Sequence, residues 1–198
     1  MSCDCAKVSA KTDAERKTLR VALALNASMF IIGTIAGLWA QSTGLMADAL
    51  DMLVDASAYG LALMAISRGV AFKKNAARWG GAILVLLGVG ILGEIARRWF
   101  FGSEPVGLVM MAYSLVSFAV NFYVLMQLAK YKRGEVHLQA NYICTRADVI
   151  ANIAVFVSGG LVMITGVKSV DLVVGFAIGL YVLKESLEIL RLRGDELH

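Results

Sequence analysis

Six long apolar stretches divide the sequence, and none shows the strict alternation that marks a half-buried strand. They run from about Leu19 to Ala40, Leu45 to Ser67, Trp79 to Trp99, Val106 to Leu128, Leu138 to Thr165 and Val170 to Leu190. A helix rises 1.5 Å per residue, so about 20 apolar residues cross the roughly 30 Å of a bilayer's hydrocarbon. In lipid the backbone must satisfy its amides internally, and runs of this length do so as helices rather than as barrel strands. The pattern predicts an all-α integral membrane protein with six transmembrane helices. They form one domain over 19–190, between a polar tail over 1–18 and a short tail over 191–198.

Composition agrees, since 59% apolar content with a single proline in 198 residues excludes an ordinary water-soluble domain. Charge then supplies the orientation. With the N-terminus inside, fifteen of the nineteen Lys and Arg residues fall in cytoplasmic segments: up to Arg20, Arg68 to Arg78, Lys130 to Arg133, and from Lys184 onward. Arg97, Arg98 and Lys168 fall outside, and Arg146 lies within the fifth helix. That bias predicts cytoplasmic N- and C-termini. The basic residues form no continuous stripe, so no nucleic-acid partner is expected. The first twenty residues lack a signal peptide's apolar core and cleavage site, so no removal is expected. Three cysteines give no disulfide framework. Gly175 and Gly179 form a GxxxG pair, and Gly80, Gly81, Gly88, Gly90 and Gly93 punctuate helix 3. Small residues mark close helix packing in membranes, and the GxxxG pair leaves room for a homodimer.

Ionisable residues inside these spans change the picture most. On insertion scales each costs at least about 2.5 to 3.5 kcal/mol at the bilayer centre, so each demands a partner or a function. Helix 2 carries Asp48, Asp51 and Asp55 at i, i+3 and i+7, on one face over two turns. Three aligned carboxylates repel one another unless cations or protons neutralise them, which outlines a cation site. Helix 5 places Cys144 and Asp148 at i, i+4, with Asn141 and Asn152 a turn away on either side. Counting rise from the helix starts, Asp55 and Asp148 each lie about 15 Å into the membrane. Two helices each offering an i, i+4 pair can build the four-coordinate geometry that zinc accepts from carboxylate and thiolate. Asp51, Asp55, Cys144 and Asp148 would be the ligands, and the sulfur would favour zinc or cadmium over magnesium or calcium.

The residues from Asn26 through Gly37, Ser42, Gly44 and the run Met46-Ala47-Asp48-Ala49-Leu50-Asp51-Met52-Leu53-Val54-Asp55, with helix 5, resemble the cation diffusion facilitators. In that family Asp or His followed four residues later by Asp, on the second and fifth helices, supplies the transport ligands. The resemblance implies that Asp51, Asp55 and Asp148 take those places, with Cys144 standing where His or Asp is usual. It also implies proton-coupled antiport of a divalent metal by alternating access, with the lipid bilayer, metal ions and protons as partners and no other cofactor. Such a protein would sit in a bacterial inner membrane. The family's cytoplasmic C-terminal domain has no counterpart here, so a short form is expected, and with it an open question of dimerisation and regulation. The segment KKNAARWGG lacks the family's loop metal ligands.

Weaker candidates are Asp48, Asn26 and Asn141 near the site, and the Cys3-x-Cys5 pair in the tail, which could hand over a soft metal. Glu94 is expected to pair with Arg97 and Arg98, and Asp171 to act as a helix N-terminal charge. The structural alternative, carboxylates held by Arg146 or backbone groups that merely hold the bundle together, stays open but is disfavoured, because one arginine cannot neutralise four acids. Two functional rivals remain. One is a metal-binding membrane sensor or accessory subunit that does not transport. The other is an enzyme, a CDP-alcohol-type phosphotransferase using magnesium, but the Asp-Gly-x-x-Ala-Arg segment that should precede its aspartates is absent.

Overall fold

The structure is a computed structural model that describes residues 13–64, 70–129 and 136–191, with the side chains of 15, 70–74, 77 and 136–144 outside the description. Among the described residues there are six helices: α1 (Asp13–Trp39), α2 (Thr43–Met64), α3 (Val70–Phe101), α4 (Gly107–Ala129), α5 (Val136–Thr165) and α6 (Ser169–Arg191). Each coincides with one predicted span. The largest difference is at α3, which starts at Val70 inside the expected loop Arg68 to Arg78. Hydropathy finds only the part of a helix that lies in lipid, and the Lys, Ala and Arg residues ahead of Trp79 are good helix formers that carry the same helix onward.

Four helices (α1, α3, α4 and α5) are apolar enough to span a membrane by composition alone. The remaining two carry their charges inside the hydrophobic stretch. Every 18-residue window of α2 contains Asp48, Asp51 and Asp55. Sixteen of the 22 residues of α2 are buried, and it alone among the described helices touches all five others. The charged helix therefore occupies the middle of the bundle, where other helices rather than lipid surround it. Around it α1 packs on α2 and α4, α3 on α6, and α4 on α5. Outward-facing positions are apolar, with Leu86, Leu108, Ile164 and Phe100 among the most exposed side chains. Polar inside and apolar outside is the arrangement lipid demands.

The turn from α1 to α2 shows how local chemistry fixes the central helix. Gln41 takes a left-handed backbone (φ 48°). Ser42 N–H then reaches back to the Gly37 carbonyl at 3.0 Å and Gln41 N–H to that of Leu38 at 3.3 Å, a Schellman ending for α1. The same Ser42 is the N-cap of α2, its Oγ accepting from Leu45 N–H at 3.1 Å. The next contribution comes from α6. Asp171 accepts from Thr43 N–H at 2.7 Å, Gly44 N–H at 3.0 Å and Ser42 Oγ at 2.6 Å. With Met46 N–H on the Ser42 carbonyl at 3.3 Å, the four leading amides of α2 all have partners.

Asp171 stands in the first turn of its own helix, as expected, and, wholly buried, it also closes the start of another. The two helices can meet there because Gly175 has no side chain. A Cβ on it would stand 2.7 Å from Thr43 Oγ1 and 2.8 Å from the Thr43 carbonyl carbon. Gly179 faces Leu92 of α3, so the GxxxG pair is used inside the chain rather than kept for a second copy. On α3, Gly81 lies against the Leu190 backbone and Gly88 against Leu183, whereas Gly80, Gly90 and Gly93 face open space. Glu94 binds Arg97 twice, at 2.7 and 2.8 Å, and Arg98 at 2.7 Å, the local pairing expected.

Candidate functional site

Asp51 and Asp55, one turn apart on α2, are 5% and 7% exposed, and Asp148 on α5 is 3% exposed. Asp148 stands within hydrogen-bonding reach of both α2 carboxylates. Its Oδ2 is buried with no hydrogen-bond partner among the described residues. Three of the four predicted ligands thus come together at the contact between α2 and α5. Cys144 lies on α5 one turn before Asp148, but its side chain is outside the described residues, as is that of Asn141. Cys3 and Cys5 also lie outside them. Among the described residues no group of three or more His, Cys, Asp or Glu side chains stands in a metal-holding geometry. The carboxylates adjoin one another without closing round a single point.

The three carboxylates of α2 do not act as one row. Asp48, 1% exposed, turns to α4 and accepts from Ser117 Oγ at 3.1 Å, while its Oδ1 is buried without a partner among the described residues. Asn26, wholly buried on α1, donates to the Ala22 carbonyl of its own helix at 3.0 Å, and its Oδ1 has no partner among the described residues. These two weaker candidates belong to the packing of α1, α2 and α4. Asn152, one turn after Asp148, donates to the Asp148 carbonyl at 2.8 Å. Arg146 is exposed on the opposite side of α5 from Asp148, as its spacing required.

Other neighbours escaped the sequence reading. Tyr59 of α2 and Thr145 of α5, both buried, share a hydrogen bond at 3.3 Å. Tyr59 follows Asp55 by one turn and interacts with Asp55 and Asp148, on the side of the cluster away from the start of α2. A fourth carboxylate, Glu185 of α6, is 4% exposed and interacts with Asp51, Asp55 and Asp148. Glu185 lies near the end of the sixth apolar run among charged residues, where nothing in the hydropathy pattern separates a buried acid from a solvated one.

A buried set of carboxylates on separate helices can exchange protons for a cation, and residues 19–197 match the family model described as the cation efflux transmembrane domain. The chain belongs to that family, the cation diffusion facilitators. It is 25% identical over 187 residues to the metal cation efflux system protein CzcD of Cupriavidus metallidurans, covering 88% of this chain and 59% of that protein. To the zinc transporter ZitB of Yersinia pestis it is 22% identical over 192 residues, covering 90% of this chain and 62% of that protein. The chain therefore spans about three fifths of the length of the curated relatives it matches. As a cation efflux family member it is a multi-pass membrane protein, and the relatives named are transporters rather than enzymes. The family match takes in every described helix from Leu19 onward, including both halves of the carboxylate cluster.

Proposed function

We infer that this chain exports a divalent heavy-metal ion of the zinc and cadmium class by proton-coupled antiport. Asp51, Asp55, Cys144 and Asp148 are the ligands in this reading, and no enzymatic step is involved. The observation that carries it is the meeting of Asp51 and Asp55 with Asp148, all buried, at the contact of two helices in the middle of a membrane domain. Among the described side chains of α5 the carboxylates enclosed in this way have no basic neighbour to offset them, since Arg146 is exposed. They are tolerable when protons or a metal ion occupy the cluster. Ligands must lose protons to bind metal, so the two cations compete for one site and each can drive the other.

Support for the direction comes from the family and from the Lys and Arg bias, which favour a loading side in the cytoplasm of a bacterial cell and a release side beyond its inner membrane. Support for the metal comes from the relatives' names, one of which is a zinc transporter, and from the thiol at Cys144. Alternating access would proceed by rocking of the outer helices about α2, whose contacts reach every other helix.

Reconstituted in sealed liposomes, the protein should release protons when zinc or cadmium is added on one side. Asp55→Asn should reduce that flux at least about 100-fold, the scale expected when a metal site loses a direct ligand rather than an outer partner. Cys144→Ser should change the zinc-to-cadmium preference. Metal binding without flux would refute export and favour the sensor or accessory reading, and flux untouched by Asp55→Asn would remove the site.

A further inference from the structure

A cleft of about 370 Å3 opens between α3 and α6, away from the carboxylate cluster, lined by Asn75, Arg78, Trp79 and Ala82 of α3 and by Leu190 of α6. The four α3 residues are spaced i, i+3, i+4 and i+7, so they share one face of that helix. Gly81 brings Leu190 to them, because a Cβ on it would stand 2.6 Å from the Leu190 amide nitrogen. The apolar span of α3 begins at Arg78, so the cleft straddles the level where hydrocarbon gives way to headgroups. Trp79, 75% exposed, takes the place of an interfacial indole. The Arg78 guanidinium is exposed and makes no hydrogen bond or ion pair among the described residues. At the far end of α3 the case is different, since Glu94 takes up both Arg97 and Arg98. From Ala82 the same face of α3 runs on into the lipid span through Leu86 and Val89, both exposed and apolar.

We propose that this cleft is a binding site for one anionic phospholipid, its phosphate held by Arg78 and its acyl chain laid along α3. The guanidinium offers the fork of donors that fits a phosphate. The Asn75 amide, one turn nearer the water, and the Trp79 indole N–H add neutral donors around the same space. A soluble anion would use only this polar end, and an uncharged lipid only the apolar wall of Ala82, Leu86 and Leu190. An anionic phospholipid answers both. Since Leu190 belongs to α6, the bound lipid bridges the two helices at the end where Gly81 joins them. The site stands whatever ion the carboxylate cluster carries.

The test keeps the full chain and makes Trp79 its own reporter. With Trp39→Phe and Trp99→Phe in place, Trp79 is the sole indole, and lipids brominated on their acyl chains quench its fluorescence on contact. The protein is reconstituted in mixed vesicles of phosphatidylcholine and phosphatidylglycerol, with the bromine on one lipid or the other. Relative association at Trp79 should favour phosphatidylglycerol about fivefold, the scale of one basic residue beside anionic lipid. Arg78→Gln should bring that ratio close to one, while Arg78→Lys, a point charge without the fork, should keep part of it. Lys168→Gln removes the same net charge at the other end of the bundle and should leave the ratio unchanged. A ratio near one in the parent, an unchanged ratio in Arg78→Gln, or an equal fall in Lys168→Gln would overturn the site. Inorganic phosphate, added against chloride at equal ionic strength, separates the two sources of a phosphate group. A ratio that survives it assigns the cleft to the lipid; a ratio that phosphate alone abolishes gives the cleft to the free anion and sinks the proposal.

Discussion

Asp171 gathers two backbone amides and two hydroxyls into one buried carboxylate, with Thr43 Oγ1 at 3.0 Å completing the set. Hydrogen bonds to a charged group are worth more than neutral ones, and removing the acceptor leaves the amides of Thr43 and Gly44 buried without partners. Asp171→Ala should therefore lower stability by about 3 kcal/mol. Asp171→Asn, which keeps one carbonyl acceptor, should cost less, and Ser42→Ala about 1 kcal/mol. Denaturant midpoints in mild detergent would check the order; a neutral Asp171→Ala would mean that the cap carries no load. This role was illegible in the sequence because a cap supplied from 128 residues away has no local signature. By contrast Asp51, Asp55 and Asp148 were legible, because an acid in the middle of an apolar run is conspicuous wherever the run folds. Glu185 was not, for the opposite reason: it stands among Lys184 and Glu188, and only the packing of α6 on α2 separates it from them.

All six helices, as units, were present in the hydropathy pattern, and what it could not give was which helix faces which. A GxxxG pair is equally suited to a neighbour in the same chain or in another. Here Gly175 meets Thr43 and Gly44, with the Gly44 amide nitrogen 2.9 Å from where a Cβ would stand. Backbone cannot yield as a flexible side chain can, so Gly175→Ala should force α6 from α2 at a cost of about 1 to 3 kcal/mol, seen as a fall in thermal midpoint in detergent. Gly90→Ala meets nothing within 4 Å and should be neutral or stabilise by up to about 1 kcal/mol through helix propensity. Equal effects at the two positions would mean that propensity rather than helix contact decides.

At the scale of the whole molecule, direction of transport follows from how the bundle sits in the membrane. The turn between α1 and α2, the start of α4 and the start of α6 are tied together, with Val106 N–H on the Ala40 carbonyl at 3.0 Å, Glu104 N–H on Gln41 Oε1 at 3.2 Å and Lys168 paired with Glu104. They therefore share one face, with Arg78 at the other end of α3 and exposed. Only the Lys and Arg bias says which face is outside. In a background with Cys3, Cys5 and Cys144 replaced by Ser, Lys168→Cys should react with a membrane-impermeant thiol reagent on intact cells. Arg78→Cys should react only after permeabilisation. The reverse pattern would turn the bundle over, put the Asp171 latch in the cytoplasm, and make the carboxylate cluster load from outside. An exporter would then become an importer with no ligand changed, so this labelling decides the sign of the function that the site chemistry alone leaves open.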